Sequence, residues 1–209
     1  MPTPIEKYDY FLPQELIALN PSKNRDECKM IVAEKSKKSF YETRFKDIIN
    51  IIDDNSFLVV NNTRVRNARL NAKKVTGGKS EIFVTEVLSD GNFKGLLRGS
   101  FKVGAEILVE DNVFKLISKD DEGIWLLDSN GIDINKLMEN IGRVPLPPYI
   151  NRQDNLQDKL DYQTVYSKYV GSSAAPTAGL HFTKELIDSL KNNGIEILEI
   201  LSKNSWQNP

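Results

Sequence analysis

Between residues 68 and 128 short apolar runs alternate with turn signals. ARLNAKKV (68–75) is followed by Gly77-Gly78, and SEIFVTEVL (80–88) by Asp90-Gly91. FKGLLRG (93–99) and AEILVE (105–110) precede Asp111-Asn112. VFKLIS (113–118) leads into Asp120-Asp121-Glu122-Gly123, and GIWLLD (123–128) closes the series. Gly-Gly, Asp-Gly and Asp-Asn pairs suit tight hairpin turns whose twist matches that of the flanking strands. About six such strands in roughly 60 residues predict a small antiparallel barrel or meander. INKLMENI (134–141) predicts a short helix that closes this module.

Outside this block the pattern is mixed. LPQELIA (12–18) predicts a short helix with Pro13 in its first turn, and CKMIVAE (28–34) a short strand. In FKDIINII (45–52), Phe45, Ile48, Ile49 and Ile52 recur at helical spacing. SFLVV (56–60) reads as a buried strand. VPLPPYI (144–150), with Pro145, Pro147 and Pro148, predicts a stiff extended connector. Thr183 is a natural N-cap for KELIDSLKNN (184–193), Glu185 suits its first turn, and Gly194 suits its C-terminal stop. IEILEIL (195–201) reads as a strand. The expected class is therefore α+β or mixed α/β. A larger mixed domain, residues 1–65 plus 142–209, carries an inserted small antiparallel β-barrel at 66–141.

With 40% hydrophobic and 27% charged residues in 209, the chain has the composition of a soluble globular protein. A formal net charge of -1 argues against a protein that coats nucleic acid generally, and leaves room for a local basic patch. No apolar run approaches the roughly 20 residues of a membrane helix, and MPTPIEKYDY lacks the layout of a signal peptide. The lone Cys28 points to a reducing, cytoplasmic setting. One Cys and one His argue against a structural zinc site, and no metal is expected.

Four features can carry chemistry. GSSAAPTAGLHFT (171–183) is nearly uncharged, has two glycines and a proline, and holds His181, the only histidine. It reads either as a tight structural turn with a helix cap or as a loop that lets a ligand approach backbone N–H groups. It is neither a P-loop nor a dinucleotide fingerprint. His181 is either a structural hydrogen-bonder or a proton-transfer group, since imidazole titrates near neutrality. Thr177 and Thr183 add hydroxyls to the same run. The segment 61–80 contains Arg64, Arg66, Arg69, Lys73, Lys74 and Lys79 and no acid. Phosphates are its natural partners, unless it is an ordinary solvated hairpin. Tyr162, Tyr166 and Tyr169 fall at i, i+4 and i+7, which predicts one helix face, either core-facing or available to stack on a base. Arg143, Arg152 and Lys159 flank that stretch.

Taken in order, YDYFLPQELIA (8–18), Arg25-Asp26, LVVNNTRVRNARL (58–70), TGGKSEI (76–82), GRVPLPPYI (142–150), DYQTVYS (161–167) and AAPTAGLHFT (174–183) resemble the S-adenosylmethionine:tRNA ribosyltransferase-isomerase family of queuosine biosynthesis. The resemblance implies a transferase that moves and isomerises the ribose of S-adenosylmethionine. The acceptor is the aminomethyl group of a 7-deazaguanine (preQ1) in tRNA. The product is epoxyqueuosine-tRNA, with adenine and methionine released. S-adenosylmethionine is then a co-substrate, no separate cofactor is needed, tRNA is the partner, and a monomer is expected. The resemblance also implies site roles. His181 and Thr177 would be catalytic. Ser172, Ser173, Gly179, Tyr162, Gln163, Tyr166, Arg143 and Arg152 would hold substrate, and Asn62, Arg64, Arg66 and Arg69 would hold tRNA.

The match holds through the strand near 195–200 and dissolves into LSKNSWQNP, where the family continues with a Thr-Leu-His-Val-Gly-like string. That loss of register leads to the expectation of a mixed domain incomplete at its C-terminus, through a frameshift, an early stop or truncation. The alternative function is then a non-catalytic remnant that at most binds RNA.

Overall fold

The computed structural model describes residues 4–147, 149–172 and 175–201. In chain order it begins with a hairpin of β1 (Lys29–Glu34) and β2 (Ser39–Arg44), then β3 (Phe57–Asn61) and β4 (Thr63–Val65). Six strands follow: β5 (Arg69–Lys74), β6 (Lys79–Val87), β7 (Phe93–Leu97), β8 (Glu106–Val109), β9 (Asn112–Lys119) and β10 (Trp125–Asp128). They close into an antiparallel barrel in the order β10-β7-β6-β5-β8-β9. Helices α1 (Ile134–Ile141) and α2 (Asp158–Asp161), strand β11 (Tyr169–Ser172), helix α3 (Lys184–Asn192) and strand β12 (Glu196–Ile200) complete the molecule.

The barrel follows from side-chain alternation. In β5, Leu70 and Ala72 turn inward while Asn71 and Lys73 face out. Leu70, Ile82, Phe93, Ile107, Phe114, Leu116 and Leu127 fill the interior, and the Phe93 and Phe114 rings meet edge-on at 5.2 Å. Gly77 and Gly91 take positive φ in their hairpin turns, which explains why glycine stands there. Helix α1 seats Ile134 and Met138 on the barrel core. Its N-cap Asp133 accepts a hydrogen bond from Lys136 N at 3.1 Å.

The surrounding region is held by parallel pairs, β3 with β12 and β4 with β11. Asn62 joins them: its N–H donates to Ile200 O (3.0 Å) and its carbonyl accepts from Lys168 N (2.8 Å). A second core gathers Phe45, Phe182, Leu186, Ile187, Leu190 and Ile195. Helix α3 is capped as its sequence predicts: Thr183 Oγ1 accepts from Leu186 N at 3.1 Å, and Gly194 has φ +84°. The chain enters and leaves the barrel side by side. Arg143 N donates to Arg69 O at 2.8 Å and Arg69 N to Arg143 O at 3.3 Å. A Cβ on Gly142 would collide with the carbonyls of Asn67 and Met138, so this crossing admits only glycine.

Three expectations are corrected. Residues 12–18 and 45–52 form 3-10 turns, Gln14–Leu16 and Phe45–Asn50; Pro13 offers the first no capping side chain, and the second is crowded with β-branched Ile48, Ile49, Ile51 and Ile52. Tyr162, Tyr166 and Tyr169 share no helix face. Helix α2 ends at Asp161, the chain turns at Val165–Tyr166, and Tyr169 opens β11, where β-branched Val170 favours extended backbone. Strands β2, β4 and β11 carry no periodic signal and were not anticipated. Among the described residues no helix is long and apolar enough to cross a membrane.

Candidate functional site

Pro176 starts a 3-10 turn, Thr177–His181, closed by Gly179 N donating to Pro176 O at 2.8 Å. Gly179 is buried beneath Tyr166. A Cβ there would strike the Tyr166 hydroxyl and stand 3.0 Å from Thr164 Cγ2. The glycine is thus required by the close approach of an aromatic ring, with no positive φ involved. Tyr166 in turn lies edge-on to Phe182, ring centres 6.3 Å apart, and burial pushes its hydroxyl pKa up.

His181 ends this turn, half-buried, with its ring 5.3 Å from that of Phe45. Its Nδ1 is 3.2 Å from Cys28 Sγ. Burial lowers the imidazole pKa, opposed in part by a hydrogen bond to the Arg25 backbone. Burial also raises the Cys28 thiol. The pair is therefore a neutral imidazole beside a protonated thiol at neutral pH, unlike the ion pair of a Cys–His nucleophile.

The segment carrying Cys28 is a junction. Arg25 donates through Nη1 to Gln163 O (2.5 Å) and through Nη2 to Leu160 O (2.6 Å). Thr183 Oγ1 donates to Asp26 Oδ2 at 3.4 Å. The Gln163 side chain grips β4, with Oε1 accepting from Val65 N (3.0 Å) and Nε2 donating to Val65 O (2.8 Å). Residues 25–28, 160–166 and 177–183 thus gather about one imidazole, and Gln163 ties them to β4. Sequence reading missed the contacts of Arg25 and Cys28, because both reach partners more than a hundred positions away and neither sits in a periodic pattern.

Other candidates are placed elsewhere. Tyr162 is half-buried, and burial, with Tyr149 and Asp158 nearby, pushes its pKa up to about 12. Arg152 forks onto Asp158 with two 2.6 Å bonds and donates through Nε to Leu19 O at 2.7 Å. Asp158 is buried, and Arg152 holds its carboxyl below the usual carboxylate range. Arg143 pairs with Asp154. Asn62 is buried and donates to Glu199 at 3.0 Å. Arg69 pairs with Glu81 at 3.4 Å. Arg64 is exposed, while Arg66 is half-buried with a lowered pKa and an Nε that has no hydrogen-bond partner among the described residues. The three arginines do not act together. Arg64 and Arg66 line a cleft of about 690 Å³ with Gln163, and Arg69 lines a second of about 1190 Å³ with Arg143 and Arg152. Ser172 lies at the end of β11, and Ser173 falls outside the described residues.

Comparison with known proteins bears on this arrangement. The family model described as "Queuosine biosynthesis protein" matches residues 5–204. The chain is 42% identical over 198 residues to the S-adenosylmethionine:tRNA ribosyltransferase-isomerase of Francisella tularensis subsp. novicida (strain U112). It is 41% identical to those of Francisella tularensis subsp. tularensis (strain WY96-3418) and Francisella philomiragia subsp. philomiragia. Each alignment covers 93% of this chain, which spans only 58% of each relative's length. A crystal structure of S-adenosylmethionine tRNA ribosyltransferase from Thermotoga maritima is 28% identical, with a TM-score of 0.38, over 93% of this chain and 57% of that one. The family match runs through the barrel and through every segment that meets at His181, and the chain belongs to the queuosine biosynthesis protein family.

Proposed function

We propose that this chain performs, or contributes to, ribosyl transfer and isomerisation from S-adenosylmethionine to the 7-aminomethyl group of 7-deazaguanine (preQ1) in tRNA, with release of adenine and methionine. It works in the cytoplasm as a monomer, with S-adenosylmethionine as co-substrate and no further cofactor. The observation that carries this reading is the meeting of residues 25–28, 160–166 and 177–183 around His181.

A base removes a proton from the carbon beside the sulfonium, whose positive charge acidifies it. His181 fits that role because a depressed pKa keeps the imidazole neutral, and hence basic, at neutral pH. Activity then falls as acid protonates it, below the ordinary histidine range. Thr177, exposed on the same turn, offers a hydroxyl to the ribose or the methionine carboxylate. Gly179 and Tyr166 fix the turn, Gln163 ties its neighbourhood to β4, and Tyr162 is assigned to substrate binding on the adjoining segment. Arg143 and Arg152 stiffen its approach, and Arg64 and Arg66 face tRNA beside the smaller cleft.

The test is incubation with S-adenosylmethionine and preQ1-bearing tRNA, with adenine measured. Turnover by the wild type with a loss of about 10²–10⁴ in His181→Ala supports the reading. Full turnover in His181→Ala removes the base role. Tight tRNA binding without adenine release would leave the second reading, an RNA-binding but non-catalytic chain.

A further inference from the structure

We infer that the barrel rim beside the larger cleft grips the phosphate backbone of an RNA strand through Lys73, Lys79 and Arg98. This rests on the RNA substrate of the reading above and adds a second contact surface, distinct from Arg64 and Arg66.

Lys73 on β5 and Lys79 on β6 are direct cross-strand partners. Like charges in that position destabilise a hairpin. Both are exposed, and neither has an ion-pair partner among the described residues. Arg98 adds a third unpaired cation next to them. It follows β7, its N–H donates to Glu81 O at 3.0 Å, and its carbonyl accepts from Ser80 Oγ at 2.8 Å, one residue beyond Lys79.

The neighbouring cations are already engaged. Lys74 turns away to Ser100 O and lies 4.9 Å from the centre of the Phe101 ring. Arg69, Arg143 and Arg152 each have a carboxylate. Lys73, Lys79 and Arg98 therefore supply free positive charge to a cleft whose acids, Glu81 and Asp154, are neutralised within it. In a chain of net charge -1 this concentration is local.

The cleft, about 1190 Å³, exceeds the usual range for a small anion or metabolite and suits a polymer. Val144, Leu146, Pro147 and Ile150 also line it. A lining that combines free cations with apolar side chains suits a nucleic-acid strand, which offers phosphates to the first and sugar and base faces to the second.

The experiment measures anisotropy of a fluorescein-labelled tRNA titrated with the purified chain over a series of KCl concentrations. Lys73→Gln/Lys79→Gln/Arg98→Gln is expected to weaken binding at least about tenfold at low salt and to reduce the log–log salt slope by about 2. Lys115→Gln, an exposed barrel lysine on β9, is expected to leave both unchanged. Lys79→Glu moves two readouts in opposite directions. It weakens tRNA binding, yet it replaces a like-charge pair by an attractive one and raises Tm by about 1–2 °C.

A triple variant with an unchanged salt slope overturns the inference. So does a Lys115→Gln effect equal to that of Lys79→Gln, or displacement of the tRNA by polyglutamate at equal charge concentration. Adenine release separates this surface from the catalytic proposal. A wild type that binds tRNA through these residues but releases no adenine fails only as an enzyme. A triple variant that turns over with unchanged KM for tRNA removes only the surface.

Discussion

Nine side chains of the barrel core have no solvent exposure, whereas the core behind the His181 turn has one, Leu190. The barrel closes on itself, so every strand edge is paired and alternate residues seal the interior. The mixed region is built from two-stranded sheets, and Phe57, Val59, Leu198 and Ile200 of β3 and β12 remain substantially exposed. It is held instead by individual long-range links such as Arg25 to Gln163 and Arg152 to Leu19. One region gains its order from repeated packing, the other from a few specific polar ties, and the candidate site lies in the second.

The largest expected effect tests the barrel side. Phe114→Ala should cost about 3–5 kcal/mol in urea unfolding, followed through Trp125 in a Trp206→Phe background. Leu190→Ala should cost no more, and should leave the Trp125 transition in place if the two cores unfold separately. A single shared transition in both variants would dissolve the contrast.

On the other side, Asp158→Asn removes the carboxylate that Arg152 grips and should cost about 1.5–3 kcal/mol at pH 7. The sign with pH is fixed. Asp158 has a lowered pKa in the fold, so its contribution is present above the unfolded value of about 3.9 and is lost as pH falls through the folded one. Wild type and variant should therefore converge in acid. A gap that persists at low pH would mean that the fork is not the source.

Next in size, Gly179→Ala should cost about 1–3 kcal/mol by overpacking and should reduce turnover. Tyr166→Phe removes the hydroxyl that the new methyl meets first, so the double variant should recover part of both. Strict additivity would argue against the contact. The smallest effect is expected at Val59→Thr and Leu198→Thr, within about 0.5 kcal/mol of wild type by urea melts, with less self-association in light scattering. A large loss there would show those faces to be covered in solution.

The same contrast governs what was legible in the sequence. The barrel was, because a period of two and glycine turns are local signals: 68–75, 80–88 and 113–118 all carry strands close to their expected bounds. Helix α3 was equally plain from Thr183 and Gly194. Strand β2 was not, because SFYETR is exposed almost throughout and shows no alternation. The tyrosine spacing mimicked a helix where a turn and a parallel strand prevail. At the site, the 171–183 run was visible from its glycines and histidine. Its setting was not, since Cys28 and Arg25 reach it only after the chain has folded back across most of its length.

The paired hydrogen bonds between Arg69 and Arg143 place the two ends of the barrel segment against each other. To the rest of the polypeptide, all that lies between them behaves as a single tight connection, so the loop-closure entropy of the host is nearly independent of what the connection contains. Such a module can be lengthened, exchanged or acquired in one genetic event while β4 and the 143–154 segment stay where they are. That leaves the barrel rim free to diversify without disturbing the neighbourhood of His181.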